Sequence, residues 1–136
     1  MIELYNPSDI TADLSQYSIK CFASGPNNPN VVQLSGTLPT KGRTSCGNSQ
    51  ADPNVLVLCD MVSSELKFDG DDAVGLYKND VLIDMIGEIG VNPGNTGWQV
   101  GTGFTKNNTL RRGYDVRGPT AYWTISVLQW DVLPDR

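Results

Sequence analysis

The sequence contains no histidine. That removes the commonest general base and the commonest metal ligand together. Zinc-hydrolase chemistry and Ser-His-Asp or Cys-His catalysis cannot be assembled from this chain alone. Long apolar runs are missing as well. No run reaches the ~18 residues needed to span a bilayer, and no stretch resembles a signal peptide. Basic residues are scarce, with 10 Lys and Arg against 15 Asp and Glu and a net charge of -5. A dedicated nucleic-acid binder is usually basic, so the overall charge speaks against that role while leaving room for a local basic patch. Cysteine occurs only as Cys21, Cys46 and Cys59, without CxxC spacing, so zinc-ribbon and thioredoxin-type sites find no pattern here. An odd number leaves either one disulfide and one thiol or three buried thiols. In a secreted setting the expected bridge is Cys46–Cys59, which flank one short excursion of the chain. Cys21, on an apolar strand face, is then expected to stay a thiol.

What is abundant is turn chemistry. Glycine occurs 14 times and proline 8 times in 136 residues, beside many Asn and Asp. That composition suits an all-β domain of short segments better than a helical bundle. The length suits one domain, residues 1–136. "IELY" (Ile2 to Tyr5) alternates and stops at the Asn6-Pro7-Ser8-Asp9 turn cluster. In "YSIKCFA", Tyr17, Ile19, Cys21 and Ala23 share one face, and Ser18, Lys20 and Phe22 the other. "VVQLSG" and "RTSC" read as further strands, with "GPNNPN" and "TLPTKG" as loop and turn. In "ADPNVLVLCDM" the apolar run also suits a buried strand, but Asp52 as cap and Pro53 at the first position favour a short helical turn. The clearest signal is a hairpin. Apolar runs from Ala73 to Tyr77 and from Val81 to Ile89 flank Lys78-Asn79-Asp80, where Asn and Asp tolerate positive φ. "VNPGNTG" is a polar loop, and "NTLRRGYDV" and "AYWTISVLQW" are predicted to be late strands.

The stretch "KFDGDDAVGLY" places Asp69, Asp71 and Asp72 around Gly70. Asp69 and Asp71 have the alternate spacing of oxygen ligands in a calcium loop, with glycine at the sharp turn. An EF-hand asks further for a ligand at the fifth position and a Glu at the twelfth, where Ala73 and Asp80 stand. Asp69 and Asp71 are therefore at most a weak calcium site. The favoured alternative is a turn whose carboxylates bond backbone N–H groups while Gly70 supplies positive φ. A two-metal nuclease centre would need convergent carboxylates, and Glu3, Asp60, Glu65, Asp84 and Glu88 qualify by type alone. Asp84 lies in the apolar run "VLIDMIG". It reads either as a buried functional carboxylate or, more simply, as an edge residue reaching solvent.

"KNNTLRRGYDVR" concentrates Lys106, Arg111, Arg112 and Arg117 in an otherwise acidic chain. These are candidate contacts to nucleic-acid phosphates. On a strand Arg111 and Arg112 point to opposite faces, so the simpler reading is a sheet edge guarded by charge. Asn107-Asn108-Thr109 matches a glycosylation sequon. Trp123 is expected in the core and Trp98, in a glycine-rich stretch, at the surface.

The segments "IELYNPSDITADLSQYSIK", "LSGTLPTKG", "FDGDDAVGLYKNDVLIDMIG" and "NTLRRG" follow one another in the order found in lamin tail domains. The chain most resembles the bacterial version attached to extracellular nucleases and other secreted proteins. The resemblance runs from Ile2 to about Arg112 and is looser after Gly113. It implies an immunoglobulin-like β-sandwich without a catalytic centre. It also implies an extracellular or cell-surface location and a non-catalytic accessory or interaction module of a secreted bacterial protein, with an extracellular endonuclease as first choice of parent. Two alternatives stay open. One is a domain that grips nucleic acid for a neighbouring nuclease, and the other is a cell-surface or polymer-binding module using exposed aromatics. The expected partners are neighbouring domains of a larger parent, with DNA only weakly held. No cofactor is implied beyond weak calcium. Family members carry one more strand, of the "ISEY" kind, before "IELYNP", so the family's first strand is expected to be missing here.

Overall fold

The computed structural model describes residues 1–134. In chain order the strands are β1 (Ile2–Tyr5), β2 (Ala12–Asp13), β3 (Tyr17–Cys21), β4 (Asn30–Gln33), β5 (Thr37–Leu38), β6 (Arg43–Asn48), β7 (Met61–Ser63), β8 (Val74–Lys78), β9 (Val81–Ile86), β10 (Gln99–Val100), β11 (Gly103–Phe104), β12 (Asn108–Arg112) and β13 (Trp130–Pro134). Two one-turn helices, α1 (Pro53–Leu56) and α2 (Trp123–Ser126), interrupt them. The fold is all-β.

A four-stranded antiparallel sheet runs β4-β3-β8-β9, and a three-stranded sheet runs β1-β6-β7 with β6 and β7 parallel. Their apolar faces share one sandwich-like core. Ile19 and Cys21 from β3, Val32 from β4, Val74 from β8 and Cys46 from β6 are buried together with Leu14, Leu34, Leu38 and Leu66. Ile2 and Leu4 of β1 and Met61 of β7 pack against that cluster. The alternation in "YSIKCFA" thus places Tyr17, Ile19 and Cys21 where a half-buried strand puts its apolar set.

Local chemistry explains the connections. The β8–β9 hairpin turns on Asn79 and Asp80, with φ of 49° and 60°, the left-handed pair that matches strand twist. Its register is Lys78 opposite Val81 and Tyr77 opposite Leu82. α1 starts as expected: the Asp52 carboxylate accepts from the Asn54 N–H at 2.8 Å and Pro53 stands in the first turn.

Three expectations are corrected. "AYWTISVLQW" is not one strand. Trp123–Ser126 forms α2, Val127–Gln129 continues as a 3-10 turn, and extended backbone resumes only at Trp130. The cause is Ser126, which is completely buried. Its hydroxyl donates to the Met85 carbonyl at 3.0 Å and accepts from the Trp130 indole N–H at 3.2 Å, docking α2 on β9. The second correction is Trp98. It is 6% exposed and packs edge-on against Trp123 with ring centroids 6.2 Å apart. Room for it comes from Gly87, where a Cβ would lie 2.5 Å from the indole. "NTLRRGYDV" is a strand only to Arg112, after which Val116 N bonds Gly113 O in a turn. The short β10–β11 hairpin had no forecast.

Candidate functional site

The acidic stretch lies between Leu66, buried in the core, and β8. Gly70 has φ of 100°, and a Cβ there would sit 2.6 Å from Lys106 Cα. Only glycine serves, both for the turn and for the close approach. The Thr105 hydroxyl donates to the Gly70 carbonyl and accepts from the Trp98 N–H at 2.9 Å. Lys106 N reaches Thr96 O at 3.2 Å. These bonds clamp the acidic turn onto the segment carrying Lys106.

The clamp brings the ammonium of Lys106 to 2.9 Å from Asp71 and 3.4 Å from Asp69. Asp72 turns inward and accepts from the Asp69 N–H at 3.1 Å. Carboxylate oxygens of Asp69, Asp71 and Asp72 lie within 4.8 Å of one another, the sole cluster of at least three such groups among the described residues. A hydrogen bond shared with Asp71 holds the Asp69 carboxyl down to about 2, with Asp72 and Lys106 adding to it. Burial pushes Asp72 up, reinforced by Asp69 and Asp71. Asp71, then Asp69, raises Lys106. Chemically the arrangement is a carboxylate cluster with its own cation. Gly70 supplies the expected positive φ, but Asp72, rather than Asp69 or Asp71, bonds the turn's backbone. Asp69 and Asp71 face Lys106 instead.

The structure does not gather the four cations of the "KNNTLRRGYDVR" stretch into one strip. Lys106 is taken by the acidic turn. Arg111, exposed on β12, faces Asp131, its register partner on β13, at 3.4 Å. Arg112 leaves the other face of β12 and grips Asp84 with both terminal nitrogens, one of them at 2.9 Å. It also donates to Gln129 at 2.6 Å and lies 4.8 Å from the Trp130 ring centroid. Arg117 is exposed and reaches the Tyr114 carbonyl at 3.4 Å.

The remaining candidate carboxylates are scattered, and Asp84, Asp60, Glu65 and Glu3 each have a partner of their own. Asp84 on the edge strand β9 accepts from Arg112 and from the Thr120 N–H at 3.2 Å. Asp60 accepts from the Ser45 N–H at 2.8 Å, Glu65 from Asn30 at 2.8 Å, and Glu3 faces Arg43 at 3.8 Å. Glu88 shares a cleft of about 360 Å³ with Asp71 and Asp72. Cys21, Cys46 and Cys59 are all free thiols in this structure. Cys46 points into the core, whereas the Cys59 sulfur lies 2.5 Å from where a Gly47 Cβ would be. Neighbours along a strand point to opposite faces, so Cys46 and Cys59 lie on opposite sides of β6 and the expected bridge is not made.

Thr105, Ser126 and Gln129 had no forecast. Each acts through tertiary hydrogen bonds, which carry no local pattern. Asn107 of the sequon is exposed at a left-handed turn, with φ of 57°. Comparison with family models, with curated proteins and with solved structures gives no match to the chain.

Proposed function

We propose that the chain is an immunoglobulin-like module of the lamin-tail type, non-catalytic in itself and accessory to a secreted bacterial protein, with an extracellular nuclease as the first choice of parent. The observation that carries this reading is the ion pairing of the acidic turn. Of the three carboxylates best grouped for metal-assisted hydrolysis, Asp69 and Asp71 are bonded to Lys106, and Asp84 is bonded to Arg112. A hydrolytic centre needs carboxylates free to bind ions and a base free to take a proton. Here Asp69, Asp71 and Asp84 are tied to Lys106 and Arg112, and histidine is lacking. The segment order described above supports the lamin-tail assignment, and the sandwich-like core accords with it.

The nucleic-acid-gripping alternative draws less support, because Lys106 and Arg112 already hold carboxylates. Calcium remains a property to test at Asp69 and Asp71, with no step of the reading passing through it. The deciding experiment is incubation of the purified chain with plasmid and single-stranded DNA in magnesium, manganese, calcium or zinc. Intact DNA throughout is the expected outcome. Metal-dependent cutting that disappears in Asp71→Ala or Asp84→Ala would show that this chain is itself a nuclease.

A further inference from the structure

We infer that the cleft between the β10–β11 hairpin and the β12–β13 pair is a binding site for a neutral sugar ring of a polysaccharide. The inference rests on the reading above, that the chain is a non-catalytic accessory module.

The cleft has a volume of about 530 Å³ and is lined by Val100, Thr102, Phe104, Asn108, Trp130 and Asp131, among others. That is within the size range of small-molecule sites. The hairpin turns at Gly101, with φ of 58°, and rests directly on β13, since a Cβ on Gly103 would lie 2.9 Å from Val132 Cβ. Phe104 is 38% exposed, an aromatic ring outside the core cluster. Trp130 is fixed from two sides, by Arg112 over its ring at 4.8 Å and by its N–H bond to Ser126 at 3.2 Å. The Asn108 amide nitrogen donates to Phe104 O at 2.9 Å and to Lys106 O at 3.0 Å. Its Oδ1 is therefore a pinned acceptor, ready for a ligand.

Elimination narrows the ligand. A phosphate needs convergent cations, and no Lys or Arg lines the cleft; Arg111 is paired with Asp131. A divalent ion needs several oxygen ligands carrying charge, and Asp131 is the single carboxylate in the lining. An aliphatic chain needs an enclosed apolar pocket, whereas Thr102, Asn108 and Asp131 bring polar groups to this one. A sugar ring has a C–H face for an aromatic and a rim of hydroxyls for Asn108, Thr102 and Asp131. A neutral sugar fits best, because no Lys or Arg lines the cleft to meet a uronic or sulfated one.

The test is a titration of the full chain, followed by amide chemical shifts, with neutral oligosaccharides built on glucose, mannose, galactose or N-acetylglucosamine. One ring in an open cleft should bind with a dissociation constant on the order of 1 mM, so each sugar is taken to roughly ten times that. At least one series is expected to move the resonances of Gly101 to Phe104, Asn108 and Trp130 together. Phe104→Ala should weaken that response about tenfold, as the loss of an aromatic anchor does. Thr102→Val, which keeps the shape, should weaken it less, and Arg117→Ala, outside the lining, should leave it unchanged. A dispersed spectrum shows that each variant folds. Silence of the cleft resonances with all four series overturns the assignment, as does a response confined to other residues. A short single-stranded DNA moving the same resonances where sugars do not would replace sugar stacking by base stacking. Loss of the sugar site leaves the module reading standing, because only metal-dependent cleavage removes that.

Discussion

Truncation of Arg112 separates an anchor from a contact residue. Its side chain is 21% exposed and that of Asp84 is 18% exposed. Arg112→Ala deletes both charge-assisted bonds to Asp84, the 2.6 Å bond to Gln129 and the stacking on Trp130. Asp84 then keeps only the Thr120 N–H at 3.2 Å and a backbone N–H of Met85 at 3.1 Å. Breaking a fully buried pair by removing one partner costs about 3–5 kcal/mol. A fifth of each side chain still meets water, which lowers that figure, while lost cation–π stacking adds about 0.5–1 kcal/mol. The expected destabilisation is about 3 kcal/mol. Urea unfolding followed by tryptophan fluorescence measures it. With a slope of about 1.5–2 kcal/mol/M, the midpoint should fall by roughly 1.5–2 M. Replacing both partners, as in Arg112→Met with Asp84→Leu, should recover much of the loss, because no buried charge is left alone. Arg111→Ala should stay within about 0.5 kcal/mol of the parent, as an exposed pair contributes little. An Arg112→Ala protein as stable as the parent would refute the anchoring argument and return Arg112 to the pool of ligand contacts.

Gly70→Ala should destabilise by more than about 2 kcal/mol in the same urea assay, from a φ of 100° and a 2.6 Å approach to Lys106 Cα, and equal stability would remove the clamp from the account. Asp69 has a folded-state pKa of about 2, below the unfolded value near 3.9. Its contribution is therefore full above about pH 4 and disappears as pH falls towards 2. Asp72, raised by burial, acts with the opposite sign, so the comparison that isolates Asp69 is stability against pH for the parent and Asp69→Asn; parallel curves between pH 2 and 5 would contradict it. In the reduced, folded protein Cys59 should react first with a thiol reagent at pH 8. Cys46 is slower, and Cys21, fully buried with its pKa pushed up to about 11, is last, as peptide mapping of timed samples can check.

Much of the sandwich was legible because its signals are local. Asn79 and Asp80 prefer left-handed backbone whatever surrounds them, and Asp52-Pro53 marks a helix start within one turn. Alternation in β3 needed only five residues to declare its buried face. The region after Gly113 failed for a different reason. Apolar side chains lie on both sides of the chain around α2: Trp123 packs on Trp98, while Tyr122, Ile125 and Leu128 are 72%, 53% and 84% exposed. With no polar face to set the period, alternation and helical spacing cannot be told apart. The buried contact is a serine, a residue type that hydropathy assigns to the surface. Trp98 was misplaced because its burial depends on a missing side chain at Gly87, a residue of a different loop. The basic stretch could be seen, but not its partners. Lys106 meets Asp71, and Arg112 meets Asp84, only through the path of the whole chain.

An ion in a coordination site comes and goes, and its occupancy follows its concentration. The ammonium of Lys106 is tethered to the same polypeptide as Asp69 and Asp71, so dilution does not remove it. The joint between the acidic turn and the segment before β12 therefore closes as a consequence of folding alone. What loosens it is ionic strength, because Asp69 is largely exposed and both pairings are partly screened. A calcium-closed loop reports the composition of its medium. A joint closed by a tethered ammonium answers to ionic strength instead.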